Sequence, residues 1–146
     1  MRVAIIEGDG IGHEVIPPAR EAIHIIRPDI EFFEVEAGFD RWQRSGEAIT
    51  EDDIALLSTA DSILFGAVTT PPSRDYRSVI VRIRKELDLY ANVRPVWGEG
   101  FDIIVVRENT EGLYSGLEKI EHDSACTLRC ITRKGSERIA RYACTL

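Results

Sequence analysis

Three arginines and a tyrosine carry the chemistry that this chain can do: Arg84, Arg94, Arg107 and Tyr114. They sit in two runs, Arg84-Lys-Glu-Leu-Asp-Leu-Tyr-Ala-Asn-Val-Arg94-Pro95 and Arg107-Glu-Asn-Thr-Glu-Gly-Leu-Tyr114. A guanidinium is a planar fork that grips a carboxylate through two parallel hydrogen bonds. Three of them brought together fit a di- or tricarboxylate, and a phenol beside that clamp supplies a proton donor. The competing reading keeps each arginine at the surface, paired with Glu86, Asp88, Glu108 or Glu111. Such exposed pairs contribute only about 0–1 kcal/mol. Tyr114, flanked by Gly112 and Gly116, can likewise be a structural tyrosine bonded across a polar turn, Glu108–Gly116.

The elements that must position these groups can be read from periodicity. Val79, Ile83 and Leu87 recur at helical spacing and predict a helix over about 78–89, with Arg77, Ile80, Val81 and Arg84 along its flank. Arg94 falls in a predicted strand, Ala91–Val96, and Arg107 ends another, Ile103–Arg107. A further strand is expected near Ala125–Thr132 and a helix from Lys134, still running at Leu146. Upstream, Arg2–Ile6, Glu31–Glu36 and Ser62–Phe65 read as strands. Val15, Ile16, Ala19, Ala22, Ile23 and Ile26 mark a helix ended by Pro28. Pro17 and Pro18 predict that its regular part starts at the prolines or that its first turns are kinked. Thr50 followed by Asp53 resembles a capping box opening a helix whose apolar side is Ile54, Leu56 and Leu57. Trp42 is expected on a short helical turn, and Pro71–Tyr76 as a loop. This strand–helix alternation through Leu89 argues for an α/β fold with a largely parallel sheet.

Composition excludes several classes of partner. The chain has 146 residues, 44% hydrophobic and 29% charged, with a formal net charge of −7. That charge speaks against nucleic acid and makes a local cluster of arginines stand out. No apolar run approaches the ~18–20 residues of a membrane span, and the apolar start is too short for a signal peptide. Three cysteines, Cys126, Cys130 and Cys144, without a C-x-x-C pair, agree with a reducing cytoplasm, as buried small hydrophobes. The 126/130 spacing on one strand face leaves a metal or redox role open.

Two loops can bring backbone close to a ligand. Glu7-Gly-Asp-Gly-Ile-Gly12 follows a strand and precedes a helix, without the G-x-G-x-x-G spacing or an acid placed for a ribose. Thr69-Thr70-Pro71 offers hydroxyls and amides at a strand end, where α/β proteins bind ligands.

Taken in order, these two loops, the two arginine runs and Ile131-Thr-Arg-Lys-Gly-Ser-Glu-Arg-Ile139 resemble the isocitrate/isopropylmalate dehydrogenase family of β-decarboxylating dehydrogenases. The resemblance runs from Met1 to Leu146. It implies an isocitrate/isopropylmalate dehydrogenase-like α/β fold distinct from a standard Rossmann domain. Residues 1–96 would be the N-terminal part of a large domain built from both chain ends, and 97–146 the start of a smaller, dimer-forming domain. It implies that Arg84, Arg94 and Arg107 bind the malate part of a 2-hydroxy acid and that Tyr114 protonates the enol left by decarboxylation. Ile11, Thr69 and Thr70 match positions near NAD or NADP.

Mg2+ or Mn2+ is implied too, with its aspartates, the catalytic lysine and the adenosine-binding loop all beyond Leu146. The chain is therefore expected to be the front of a longer protein, inactive alone, which forms a homodimer or higher homo-oligomer. Ile80 and Val81 favour 3-isopropylmalate, and so leucine biosynthesis, because Ile80 stands where isocitrate enzymes present a polar amide. Ser78 and the Thr69-Thr70-Pro71 loop point to isocitrate, and Tyr-Ala-Asn-Val-Arg-Pro also occurs in homoisocitrate enzymes. The preference drawn from Ile80 is isopropylmalate. The alternative of another class is a truncated, non-catalytic or regulatory subunit that binds the anion.

Overall fold

An apolar run such as Val3–Ile6 is buried on both faces only in the middle of a sheet, and that is where it lies. In the computed structural model, which describes residues 1–73 and 75–146, β1 (Arg2–Gly8) is the centre of a parallel sheet in the order β2-β1-β3. β2 spans Glu31–Glu34 and β3 spans Ser62–Ala67. Ile5 sits opposite Glu34 on one side and Leu64 on the other. Parallel neighbours need long crossovers. α1 (Gly12–Ile26) provides one, α2 (Phe39–Ser45) and α3 (Glu51–Leu57) the other.

α1 is one continuous helix from Gly12, so the expectation that its regular part starts at the prolines is corrected. Pro17 and Pro18 deprive only the carbonyls of His13 and Glu14 of their helical donors, and both residues are exposed, where water replaces the lost bonds. Its apolar stripe is narrower than expected: Ile16 is buried, whereas Val15 and Ile26 are exposed. β2 stops two residues short of Glu36. α3 opens with the expected capping box: Thr50 Oγ1 accepts from the Asp53 amide at 3.2 Å, and Asp53 Oδ2 accepts from the Thr50 amide at 2.8 Å. Ile54 and Leu57 are buried, but Leu56 is exposed. Trp42 lies on α2 as expected, stacked on Phe39 and edge-on to Tyr76. The expected Pro71–Tyr76 loop includes Arg74, which lies outside the described residues.

α4 runs Val79–Glu86, shorter than the predicted 78–89. Asp88 adopts φ 48°, which no helix continues through, and the Leu89 amide closes onto the Arg84 carbonyl at 2.8 Å. Leu87 therefore falls past the helix end, half-buried, while Val79 and Ile83 are each 1% exposed. Arg82 fastens α4 to the start of α3, donating to the Ile49 carbonyl at 2.7 Å and pairing with Glu51.

The chain forms two compact units, Met1–Ile83 and Arg84–Leu146. The division falls within α4, whereas the domain boundary expected for the longer family chain is at 96/97. In this chain β4 (Ala91–Gly98) is paired along its whole length with β5 (Phe101–Glu108), antiparallel, and so belongs with the second unit. β6 (Gly112–Ile120) and β7 (Ala125–Cys130) make a second antiparallel pair, and α5 spans Arg133–Ala143. Thr132 caps α5 by accepting from the Gly135 amide at 2.9 Å, and the Cys144 amide closes its other end. The fully buried apolar side chains of the described residues, from Val3 to Ile83, all lie in the first unit.

Candidate active site

Strand pairing alone puts two of the arginines on one face. Arg107 stands directly opposite Asn92, and Arg94 is two residues from Asn92 on the same strand. Side chains alternate faces along a strand, so Arg94 and Arg107 are diagonal neighbours on one side of the β4/β5 ribbon. Arg94 is steadied by donating Nε–H to Asn92 Oδ1 at 2.9 Å.

Arg84, at the end of α4, completes the group. Its guanidinium is held below its ordinary pKa, first by burial; Tyr114 works against this, and the positive charges of Arg107 and Arg94 add to it. Arginine stays charged in proteins, and the contributions of Arg107 and Arg94 show that the three cations lie within electrostatic reach of one another. The Arg107 guanidinium lies 5.6 Å from the centre of the Tyr114 ring. Lys85 donates to the Ser115 carbonyl at 2.9 Å and ties the end of α4 to β6 beside Tyr114. Tyr114 itself lies within β6, a correction to the long polar turn expected over Glu108–Gly116. The turn is only Asn109–Glu111, because the Glu108 carboxylate accepts from the amides of Thr110 at 2.9 Å and Glu111 at 2.7 Å and closes it early.

The acids nearest the arginines in sequence do not neutralise them. Asp88 and Glu108 both bind Arg138 of α5, at 2.7 and 3.0 Å. Glu111 accepts from the Thr132 amide and hydroxyl at 2.8 and 2.6 Å, wedged beneath the start of α5 so closely that a Cβ at 135 would displace its carboxylate. Among the described residues, Arg84, Arg94 and Arg107 form no ion pair with any acid. Arg94 and Arg107 are exposed, as a surface reading expects, but the acid pairing that it also expects is not formed. A cavity of about 300 Å3 borders Arg107, Tyr114, Arg129 and Ser136. Arg84 and Arg94 do not line it, so the strand register and the end of α4, rather than this hollow, bring the four groups together.

In the first unit, the two expected cofactor loops are joined by a residue whose role the sequence reading missed, Asp9. Its carboxylate is buried and accepts from the amides of Phe39 and Asp40 at 2.9 Å each and of Thr69 at 2.7 Å. Its own amide donates to the Ala67 carbonyl at 2.6 Å. Gly38, at φ 137°, approaches the carboxylate so closely that a Cβ there would collide with it. The signal available was an acid between two glycines, which points to local backbone bonding as readily as to a ligand. Ile11, Thr69 and Thr70 are exposed around this knot, and Gly10 at φ 52° faces open space. Ser78, Ile80 and Val81 are half-buried at the start of α4. No group of three His, Cys, Asp or Glu side chains suited to a metal occurs among the described residues.

The sequence matches the family model for isocitrate/isopropylmalate dehydrogenase over residues 2–146. A homoisocitrate dehydrogenase of Methanocaldococcus jannaschii is 45% identical over 98% of this chain and 47% of its own length. An isocitrate/homoisocitrate dehydrogenase of Pyrococcus horikoshii is 46% identical, with 99% and 43% covered. A 3-isopropylmalate dehydrogenase of Methanothermobacter thermautotrophicus is 38% identical, with 98% and 45% covered. Among solved structures, an isocitrate dehydrogenase from Methylococcus capsulatus superposes with a TM-score of 0.87 at 34% identity, over 97% of this chain and 45% of that one. The chain thus spans under half the length of these relatives.

Proposed function

Since the chain belongs to the isocitrate/isopropylmalate dehydrogenase family, we propose that the longer protein carrying it oxidatively decarboxylates a 2-hydroxy di- or tricarboxylic acid. The observation that carries this reading is the set of three unneutralised arginines, Arg84, Arg94 and Arg107, gathered about Tyr114. Their forks hold the carboxylates of the malate unit and fix which carbon faces the oxidant. Ile11, Thr69 and Thr70 would hold the nicotinamide of NAD or NADP, which would supply the hydride acceptor for the hydroxyl-bearing carbon. Loss of carbon dioxide leaves the bonding electron pair on an enolate, whose carbon takes the phenolic proton of Tyr114. The exposed Thr69 and Thr70 beside an open glycine fit a nicotinamide approaching this loop. The described residues do not provide a cage for Mg2+ or Mn2+. That metal would be held by residues outside this segment.

Homoisocitrate or isocitrate is the substrate class we favour. Relatives named for homoisocitrate share 42–46% identity with the chain, against 37–39% for relatives named for 3-isopropylmalate. Ser78 adds a hydroxyl suited to an additional carboxylate. Ile80 and Val81 support the second reading, 3-isopropylmalate. A homodimer or larger homo-oligomer in a reducing cytoplasm completes the proposal; the three cysteines are not the buried hydrophobes expected, since Cys126 and Cys144 are exposed and Cys130 is half-buried.

Steady-state kcat/KM of the full-length protein, measured with NAD+ and NADP+ and with Mg2+ or Mn2+, tests this. We expect homoisocitrate or isocitrate to exceed 3-isopropylmalate by at least about tenfold, the discrimination that one well-placed charge contact supplies. A preference for 3-isopropylmalate installs the second reading. No turnover of any of the three acids overturns the enzymatic proposal in favour of an anion-binding regulatory subunit.

A further inference from the structure

The arginine cluster raises a problem of competition. Asp88 lies between Arg84 and Arg94, and Glu108 follows Arg107 at the very end of β5, on the alternate face, so two carboxylates are tethered within a turn of a site that must stay open for a carboxylate ligand. Both are engaged by one residue. Arg138 donates Nη1–H to Asp88 Oδ1 at 2.7 Å and Nη2–H to Glu108 Oε1 at 3.0 Å and to Thr110 Oγ1 at 2.6 Å. The Thr110 hydroxyl in turn donates to Glu108 Oε1 at 2.6 Å. The guanidinium stacks 4.4 Å from the centre of the Tyr90 ring, and its side chain is only 20% exposed. Only arginine can do all of this, because its rigid fork spans two acids while its face lies on an aromatic ring.

We infer that Arg138 is a positioning residue for acid binding: by holding Asp88 and Glu108 away it keeps Arg84, Arg94 and Arg107 free for the substrate. It also fixes the two turns that flank the clamp, Leu87–Leu89 after Arg84 and Asn109–Glu111 after Arg107. Among the described residues Arg84 makes no ion pair, while Asp88 and Glu108 both pair with Arg138. The inference rests on the proposed reading that the three arginines bind the acid.

The test uses the full-length protein and whichever of homoisocitrate, isocitrate and 3-isopropylmalate it turns over best. Arg138→Gln frees the two acids. We expect the KM for the acid to rise about tenfold or more while kcat stays within about threefold and the KM for the nicotinamide is unchanged. Arg138→Lys, a point charge that cannot reach both acids, falls between wild type and Arg138→Gln. Adding Asp88→Asn and Glu108→Gln to Arg138→Gln returns the acid KM to within about threefold of wild type. A merely structural arginine predicts instead that the triple variant is no better than the single one. That result, or an unchanged acid KM in Arg138→Gln, overturns the inference while wild-type activity leaves the proposed function standing. Inactive wild type removes the reading beneath both.

Discussion

In the proposed reading Tyr114 and the three arginines divide the work of binding and proton transfer, and kinetics can separate the two. Tyr114→Phe removes the proton and leaves the ring beside Arg107, so kcat should fall by about 10²–10⁴-fold, the usual worth of a positioned general acid. The KM for the acid should stay within about threefold. An acid KM that rises in step with the kcat loss would make Tyr114 a binding residue instead. These four residues were legible in the sequence because their types and order are themselves the signal. Arg138 and Asp9 were not. An arginine four residues inside a helix and an acid between glycines are common, and only tertiary contact shows that one binds two distant acids and the other three amides.

At the scale of elements, hydrophobic periodicity located the strands and helices apart from β6, and the errors fell where side chains override it. Tyr114 was placed in a turn that is actually a strand, because Glu108 closes the turn within three residues. The end of α4 was placed three residues late, because Asp88 takes a left-handed conformation that sequence spacing does not reveal. Where side-chain chemistry was local, the reading held, as at the Thr50–Asp53 box. Burial works against the Asp53 charge, but bonds from the Thr50 hydroxyl and amide and from Arg41 outweigh it and hold the carboxyl below its ordinary 3.8. A carboxylate with a depressed folded pKa contributes stability above its unfolded pKa and loses it as pH falls through the folded value. Asp53→Asn should therefore cost about 1–2 kcal/mol near neutral pH, the typical worth of a helix cap. Its deficit should shrink as pH is lowered below 3.8 in parallel denaturant titrations. A deficit constant with pH would assign the loss to packing.

For the whole molecule, burial is unequal. The first unit carries the apolar core, whereas the second exposes Trp97 at 75%, Leu113 at 69% and Leu128 at 60%. Large apolar side chains on paired strands with open edges call for further chain or a partner to cover them, in line with relatives about twice as long. The fold class was readable because alternating strands and helices leave few arrangements; what covers the second unit was not, since periodicity marks an apolar face without naming its partner. The most direct measurement is a crystal structure of the full-length protein with its best acid bound. The account predicts carboxylate oxygens within about 3 Å of the guanidinium nitrogens of Arg84, Arg94 and Arg107, with the Tyr114 hydroxyl facing the carbon that loses carbon dioxide. An acid held elsewhere, with these three arginines turned to separate surfaces, would contradict it.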